Sequence, residues 1–166
     1  MAKAAQKTTP KKARSTAAKS APKKTGTPEY TAKTAKEITV TFVDSVGLTA
    51  KVAAALAAAN VNILAGTGYS ASEMRRMATF TFIVDDLVKA EKALYKLGAE
   101  EIQDSSVIVA EMANRVGALK RISKIIADAG INIYYFYSTT SSGKTATCVI
   151  KTADDQKTLK LLREAR

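Results

Sequence analysis

Ile38, Val40 and Phe42 alternate with Thr39 and Thr41, the period of two expected of a strand that buries one face. Asp44-Ser45-Val46-Gly47 breaks the alternation, and from Leu48 to Ala59 the apolar spacing turns helical, with Val52, Leu56 and Ala59 on one stripe. Asn60 supplies a left-handed stop for this short, alanine-rich helix. Val61 to Ser70 reads as a second strand, Ser70 to Arg76 as a polar hairpin loop, and Met77 to Val84 as a third strand whose Ala78, Phe80, Phe82 and Val84 share a face. Asp85-Asp86 then caps a second helix carrying Leu87, Ala90, Leu94 and Leu97 on one side, and Gly98 ends it.

The same order returns further on. A strand from Val107 to Met112 leads into the turn Asn114-Arg115-Val116-Gly117, and a helix follows with Leu119, Ile122, Ile126 and Ala129 on its face and Gly130 as its stop. Strands from Ile131 to Thr139 and from Lys144 to Thr152 precede a last helix, opened by Asp154-Asp155 and carrying Leu159 and Leu162. Asp44, Val46, Gly47, Val61, Asn62 and Ile63 fall opposite Asn114, Val116, Gly117, Ile131, Asn132 and Ile133 at a constant offset of 70 residues. This is an internal duplication of one α/β unit.

Strand-helix-strand crossovers are right-handed, which puts both helices of each copy on one face of an antiparallel sheet. The pattern therefore predicts an α+β chain: a tail over residues 1–36 and two tandem ferredoxin-like (βαββαβ) modules at 37–106 and 107–166. The second copy stops at its second helix and lacks a last strand of its own. An exposed sheet edge would result, and it predicts a homodimer. The stretch from Glu100 to Met112 is long enough to finish one sheet and begin the next, which would join them.

Charge separates the tail from this patterned body. Residues 1–36 hold all three prolines and ten Lys or Arg against the single acid Glu29, so they carry +9 of the formal +11. Having few large apolar side chains, the segment cannot offset the entropy of ordering its backbone, and a disordered basic tail is expected. Its interspersed lysines do not fit a secretory signal, and no stretch approaches the roughly 20 apolar residues of a membrane helix. Lys11, Lys12, Arg14, Lys19, Lys23 and Lys24 suit nonspecific contact with nucleic acid, because each neutralised phosphate releases counterions; solubility alone is the plainer role.

The lone Cys148 permits no intramolecular disulfide, which fits a reducing cytoplasm, and its alternation with Ala146 and Ile150 reads as core. The chain has no histidine, so the commonest metal ligand and general base are missing. No catalytic constellation, metal site or cofactor is expected, and both Asp-Asp pairs read as helix caps.

The turn Asn114-Arg115-Val116-Gly117-Ala118-Leu119, with Ala129-Gly130-Ile131-Asn132-Ile133 after it, resembles the ACT domain family. Its members are small regulatory modules that bind amino acids and related metabolites, often attached to biosynthetic enzymes such as aspartate kinase. Two copies with little else are similar to the small stand-alone tandem ACT proteins. The resemblance implies an allosteric rather than catalytic protein, with a small amino acid or related metabolite held at the interface of paired modules. Carried over, the contacts are Asn114, Val116, Gly117, Ala118 and Leu119 with Asn132 and Ile133 in the second copy. In the first they are Asp44, Val46, Gly47 and Leu48 with Asn62 and Ile63. The family places a proline before the glycine, where this chain has Val46 and Val116.

Elementary chemistry agrees with such a site, since free N–H groups at a helix start, aided by the helix dipole, receive a carboxylate. Gly47 and Gly117 leave the backbone open to approach. Asn114 can donate or accept, whereas ionised Asp44 only accepts and favours an ammonium, so the half-sites are expected to differ, with the second copy preferred. Helix capping alone would also account for Asp44 and Asn114. The run Tyr134-Tyr135-Phe136-Tyr137 reads as core or interface packing, with base stacking as the sharper alternative. A scaffold that binds no ligand is the remaining reading.

Overall fold

The computed structural model describes residues 29–70, 76–140 and 143–165. The elements run β1 (Tyr30–Val43), α1 (Leu48–Ala58), β2 (Ile63–Ser70), β3 (Met77–Val84), α2 (Leu87–Leu97), β4 (Glu101–Ala113), α3 (Ala118–Asp128), β5 (Ile133–Thr139), β6 (Thr145–Thr152) and α4 (Asp155–Glu164). All six strands form one antiparallel sheet in the order β2-β3-β1-β4-β6-β5. The chain is thus an α+β fold in which each half contributes β-α-β-β-α.

Local signals end the helices where expected. Asn60 is left-handed at φ 55, and Gly98 and Gly130 at φ 96 and φ 69. Asp86 and Asp154 cap α2 and α4 by accepting from the N–H groups of Lys89 and Lys157. Even the irregularities repeat, because β2 and β5 each shift register at their second residue, at Leu64 and Tyr134.

The start of β1 departs from the sequence reading. Tyr30 to Lys36 were assigned to the basic tail, yet they form a strand paired with Met112 back to Ser106 of β4. The reason is nonlocal: this segment has little apolar alternation of its own, but Tyr30 and Ala32 bury against Ile108, Ala110, Met112 and Leu162, and the Tyr30 hydroxyl donates to the Leu162 carbonyl at 2.9 Å. The N-terminal segment therefore supplies the last strand that the second half lacks. The sheet edge expected there does not exist, and the argument for a homodimer built on it falls. β4 runs unbroken through the boundary placed at 106/107, so the two sheets are one. Residues 1–28, including Lys11, Lys12, Arg14, Lys19, Lys23 and Lys24, lie outside the described residues.

The even-numbered side chains of β1 and β4 face the helices. Ile38, Val40 and Phe42 pack with Leu48, Val52, Leu56, Phe80, Phe82 and Leu94, and the second half builds a matching cluster around Ile108, Ile122, Ile126 and Ile150. Among the described residues no helix covers the other face, but the accumulated strand twist curls the sheet until the edge strands β2 and β5 approach one another. A third, smaller cluster of Ile83, Val107, Val109 and Val149 fills the inside of the curl. Beside it lies Glu37, fully buried, its carboxylate accepting from the Tyr135 hydroxyl and, at 2.9 Å, from that of Tyr137.

Cys148 sits in the second cluster as expected, and burial pushes its thiol up to about 11. At pH 8 the native protein should therefore react with a thiol reagent only as it opens, with labelling accelerating on addition of urea. Rapid stoichiometric labelling without denaturant would show that this core is not closed.

Candidate functional site

In the first half a cleft of about 930 Å³ opens between α1 and the edge strand β2. Its size suits a small-molecule site. Two glycines create it. Gly66 and Gly68 pair with Phe82 and Phe80 on the helix-facing side of the sheet, and the rings lean over the glycine backbones. A Cβ on Gly66 would stand 2.6 Å from Phe82 Cδ1, and one on Gly68 2.8 Å from Phe80 Cδ1. The two rings stack with centroids 5.9 Å apart and form the floor.

The turn after β1 forms one end of the cleft. Gly47 is left-handed at φ 80, a conformation L side chains avoid, which is why this position requires glycine. No side chain caps α1, so the first-turn N–H groups of Thr49 and Ala50, both residues of the cleft wall, are left without a side-chain acceptor. The capping role suggested for Asp44 is not observed. Its backbone N–H donates to the Arg76 carbonyl at 2.5 Å, and its carboxylate accepts from the Ser70 hydroxyl at 2.6 Å. Of the contacts expected in this half, Asp44, Gly47, Leu48 and Ile63 line the cleft. Val46 points fully into solvent, and the Asn62 N–H donates to Asp85 at 2.8 Å.

The second half does not repeat this geometry. Phe136 and Ser138 stand where the first half has Gly66 and Gly68, and their partners are Ile150 and Cys148 rather than phenylalanines. Gly117, at φ 86, Ala118 and exposed Val116 line a pocket of only about 70 Å³. There Glu29 is ion-paired to Arg121 and, at 2.8 Å, to Arg115, so a carboxylate of the chain itself lies beside the turn. Asn114 does not cap α3 either: its side-chain amide donates to the Gly143 carbonyl at 3.2 Å. The Asn132 carbonyl accepts from the Ala153 N–H, Ile133 packs on the core, and Leu119 is partly exposed.

The two expected half-sites are not brought together. β1 and β4 run antiparallel, with Tyr30 opposite Met112 and Thr41 opposite Glu101. The turns at Asp44 and Asn114 therefore lie at opposite ends of the sheet, roughly 50 Å apart by strand rise. Sequence reading missed Gly66, Gly68, Phe80, Phe82 and Ser70. The available signal was the Gly-x-Gly spacing inside a strand, which marks close approach to a backbone.

Residues 106–166 match the family model of the ACT domain. The match takes in β4 from Ser106 onward together with α3, β5, β6 and α4. Comparison with curated protein sequences gave no match. Among solved structures, a protein from Bacteroides thetaiotaomicron is similar at TM-score 0.72 and 25% identity, over 81% of this chain and 90% of that one. The ligand-free regulatory subunit of aspartate kinase from Thermus thermophilus aligns at TM-score 0.58 and 18% identity, over 82% of this chain and 95% of that subunit. Its counterpart from Thermus flavus aligns at 0.57 and 18%, over 82% and 96%. At these identities the aspartate kinase likenesses concern the fold, and they extend over both the segment that matches the family model and the half that precedes it.

Among the described residues, no group of three or more His, Cys, Asp or Glu could hold a metal, and no helix is long and apolar enough to cross a membrane.

Proposed function

We propose that this chain is a regulatory amino-acid-binding protein of two ACT-like modules, 37–106 and 107–166, the second completed by Tyr30 to Lys36 of β1, with its ligand in the cleft of the first. The observation that carries this reading is the phenylalanine-floored cleft between α1 and β2 that Gly66 and Gly68 make room for, joined to an uncapped helix start and the Asp44 carboxylate. The ACT match in the second half and the shared fold of aspartate kinase regulatory subunits support a sensor without chemistry of its own. The cleft borders an edge strand, where a module of a second copy could complete a shared interface in a homodimer.

The test is a thermal-shift screen of the full-length protein against the twenty amino acids, because a ligand that binds only the folded state raises its melting temperature. One amino acid or a related few should give a saturable rise. Gly66→Ala, which forces the Phe82 ring to move, should weaken that ligand at least tenfold, while Val88→Ala on the exposed side of α2 leaves affinity unchanged. A screen without any shift at millimolar concentration would remove the sensor reading.

Charge favours a second reading, since residues 1–36 hold ten bases against one acid. In it the N-terminal segment binds nucleic acid without sequence preference and the folded body serves as scaffold.

A further inference from the structure

We propose that the first-half cleft selects an apolar α-amino acid, aromatic or large aliphatic, with its ammonium on Asp44 and its side chain over the Phe80–Phe82 floor. This rests on reading the cleft as the ligand site, and it adds the chemical class of the ligand.

The distribution of charge decides the class. Among the described residues that line the cleft, Asp44 is the single charged group. The Ser70 hydroxyl occupies its Oδ2, which leaves Oδ1 as an acceptor for an ammonium at the mouth. Among the described residues no lysine or arginine lines the wall, so there a ligand carboxylate is met by the backbone N–H groups at the uncapped start of α1. That combination of one fixed anion and one helix start matches the two charged groups of an α-amino acid.

The rest of the described wall carries no further charge. Besides the hydroxyls of Thr67 and Tyr69 it is made largely by Leu48, Val52, Ile63, Ala78 and the two phenylalanines. Among these residues a second ammonium, as in lysine, would be desolvated without a carboxylate to pair with, and a side-chain carboxylate, as in aspartate, would meet Asp44 with no cation to offset it. A flat or branched apolar side chain instead gains the stacked faces of Phe80 and Phe82. The substitution of Gly66 and Gly68 by Phe136 and Ser138 in the other half removes the corresponding space, so this selectivity belongs to the first half alone.

Isothermal titration of the full-length protein with L-phenylalanine, L-leucine, L-lysine, L-aspartate and 3-phenyllactate tests the assignment. Phenylalanine or leucine should bind at least tenfold more tightly than lysine or aspartate. Phenyllactate, which carries a hydroxyl in place of the ammonium, should bind at least tenfold more weakly than phenylalanine. Asp44→Asn should shrink that second ratio below threefold. Tighter binding of lysine or aspartate would overturn the apolar class and leave the sensor reading standing. Equal binding of phenyllactate and phenylalanine to the unaltered protein would overturn the role of Asp44. If neither these compounds nor any of the twenty amino acids binds, the sensor reading itself fails, and the ligand class with it.

Discussion

Removing residues 1–36 should unfold the second half of the protein, whereas removing residues 1–28 should leave every described contact in place. The shorter truncation stops before Glu29, so β1 keeps its full length and its pairing with Met112 to Ser106. The longer one takes Tyr30 and Ala32 out of the second core cluster, strips seven residues from the ladder and opens the central edge of β4. Tyr30 is only 3% exposed, and burying a tyrosine of some 150–250 Å² contributes about 4–6 kcal/mol at about 25 cal/mol per Å². Set against a typical net stability of about 5–15 kcal/mol, that loss together with the strand pairing is enough to unfold the second half. Hydrogen exchange of Val107 to Met112 reports the outcome directly. Protection there in the longer truncation equal to that in the shorter would show that the strand is dispensable. The choice matters for function too: a loss of nucleic-acid binding in the longer truncation would report a broken fold, and only the shorter one tests the basic segment.

The sequence made that error natural. From Ile38 onward, large apolar residues alternate with threonines, and a strand is legible at once. Tyr30 to Lys36 offers alanines, lysines and threonines, and its strand state comes from a partner 70 to 82 residues away in the chain, which no local pattern reports. The duplication, by contrast, was plain, because turn residues such as Gly47 and Gly117 obey local backbone rules and recur at a fixed offset. For the same reason it misled about the site. Two equal turns suggested two comparable half-sites, and the difference lies instead in cross-strand pairs, small on large at Gly66–Phe82 and large on small at Phe136–Ile150. Those pairs become visible only with the register, which a single sequence does not fix.

Glu37 was hidden in the same way, since its partners in β5 lie 98 and 100 residues along the chain. It stands on β1 near the middle of the sheet, and the curl brings Tyr135 and Tyr137 of the edge strand over it. Glu37→Ala should leave both hydroxyls without their acceptor and lower stability by about 3 kcal/mol, or roughly 6–12 °C in melting temperature. Replacing all three together, as Glu37→Leu with Tyr135→Phe and Tyr137→Phe, removes donors and acceptor at once and should recover most of that loss. If the triple variant melts no higher than Glu37→Ala, packing rather than hydrogen bonding explains the effect. Alkaline titration gives an independent readout. Burial first, and then Glu37, hold both tyrosine hydroxyls well above their ordinary 10.0. Their pKa is raised in the fold, so this contribution is fully present below pH 10 and is lost as pH climbs beyond it and the unfolded chain alone ionises. The unaltered protein should therefore lose stability more steeply above pH 10 than the triple variant, and parallel pH profiles would mean that the two tyrosines are not held as the geometry requires.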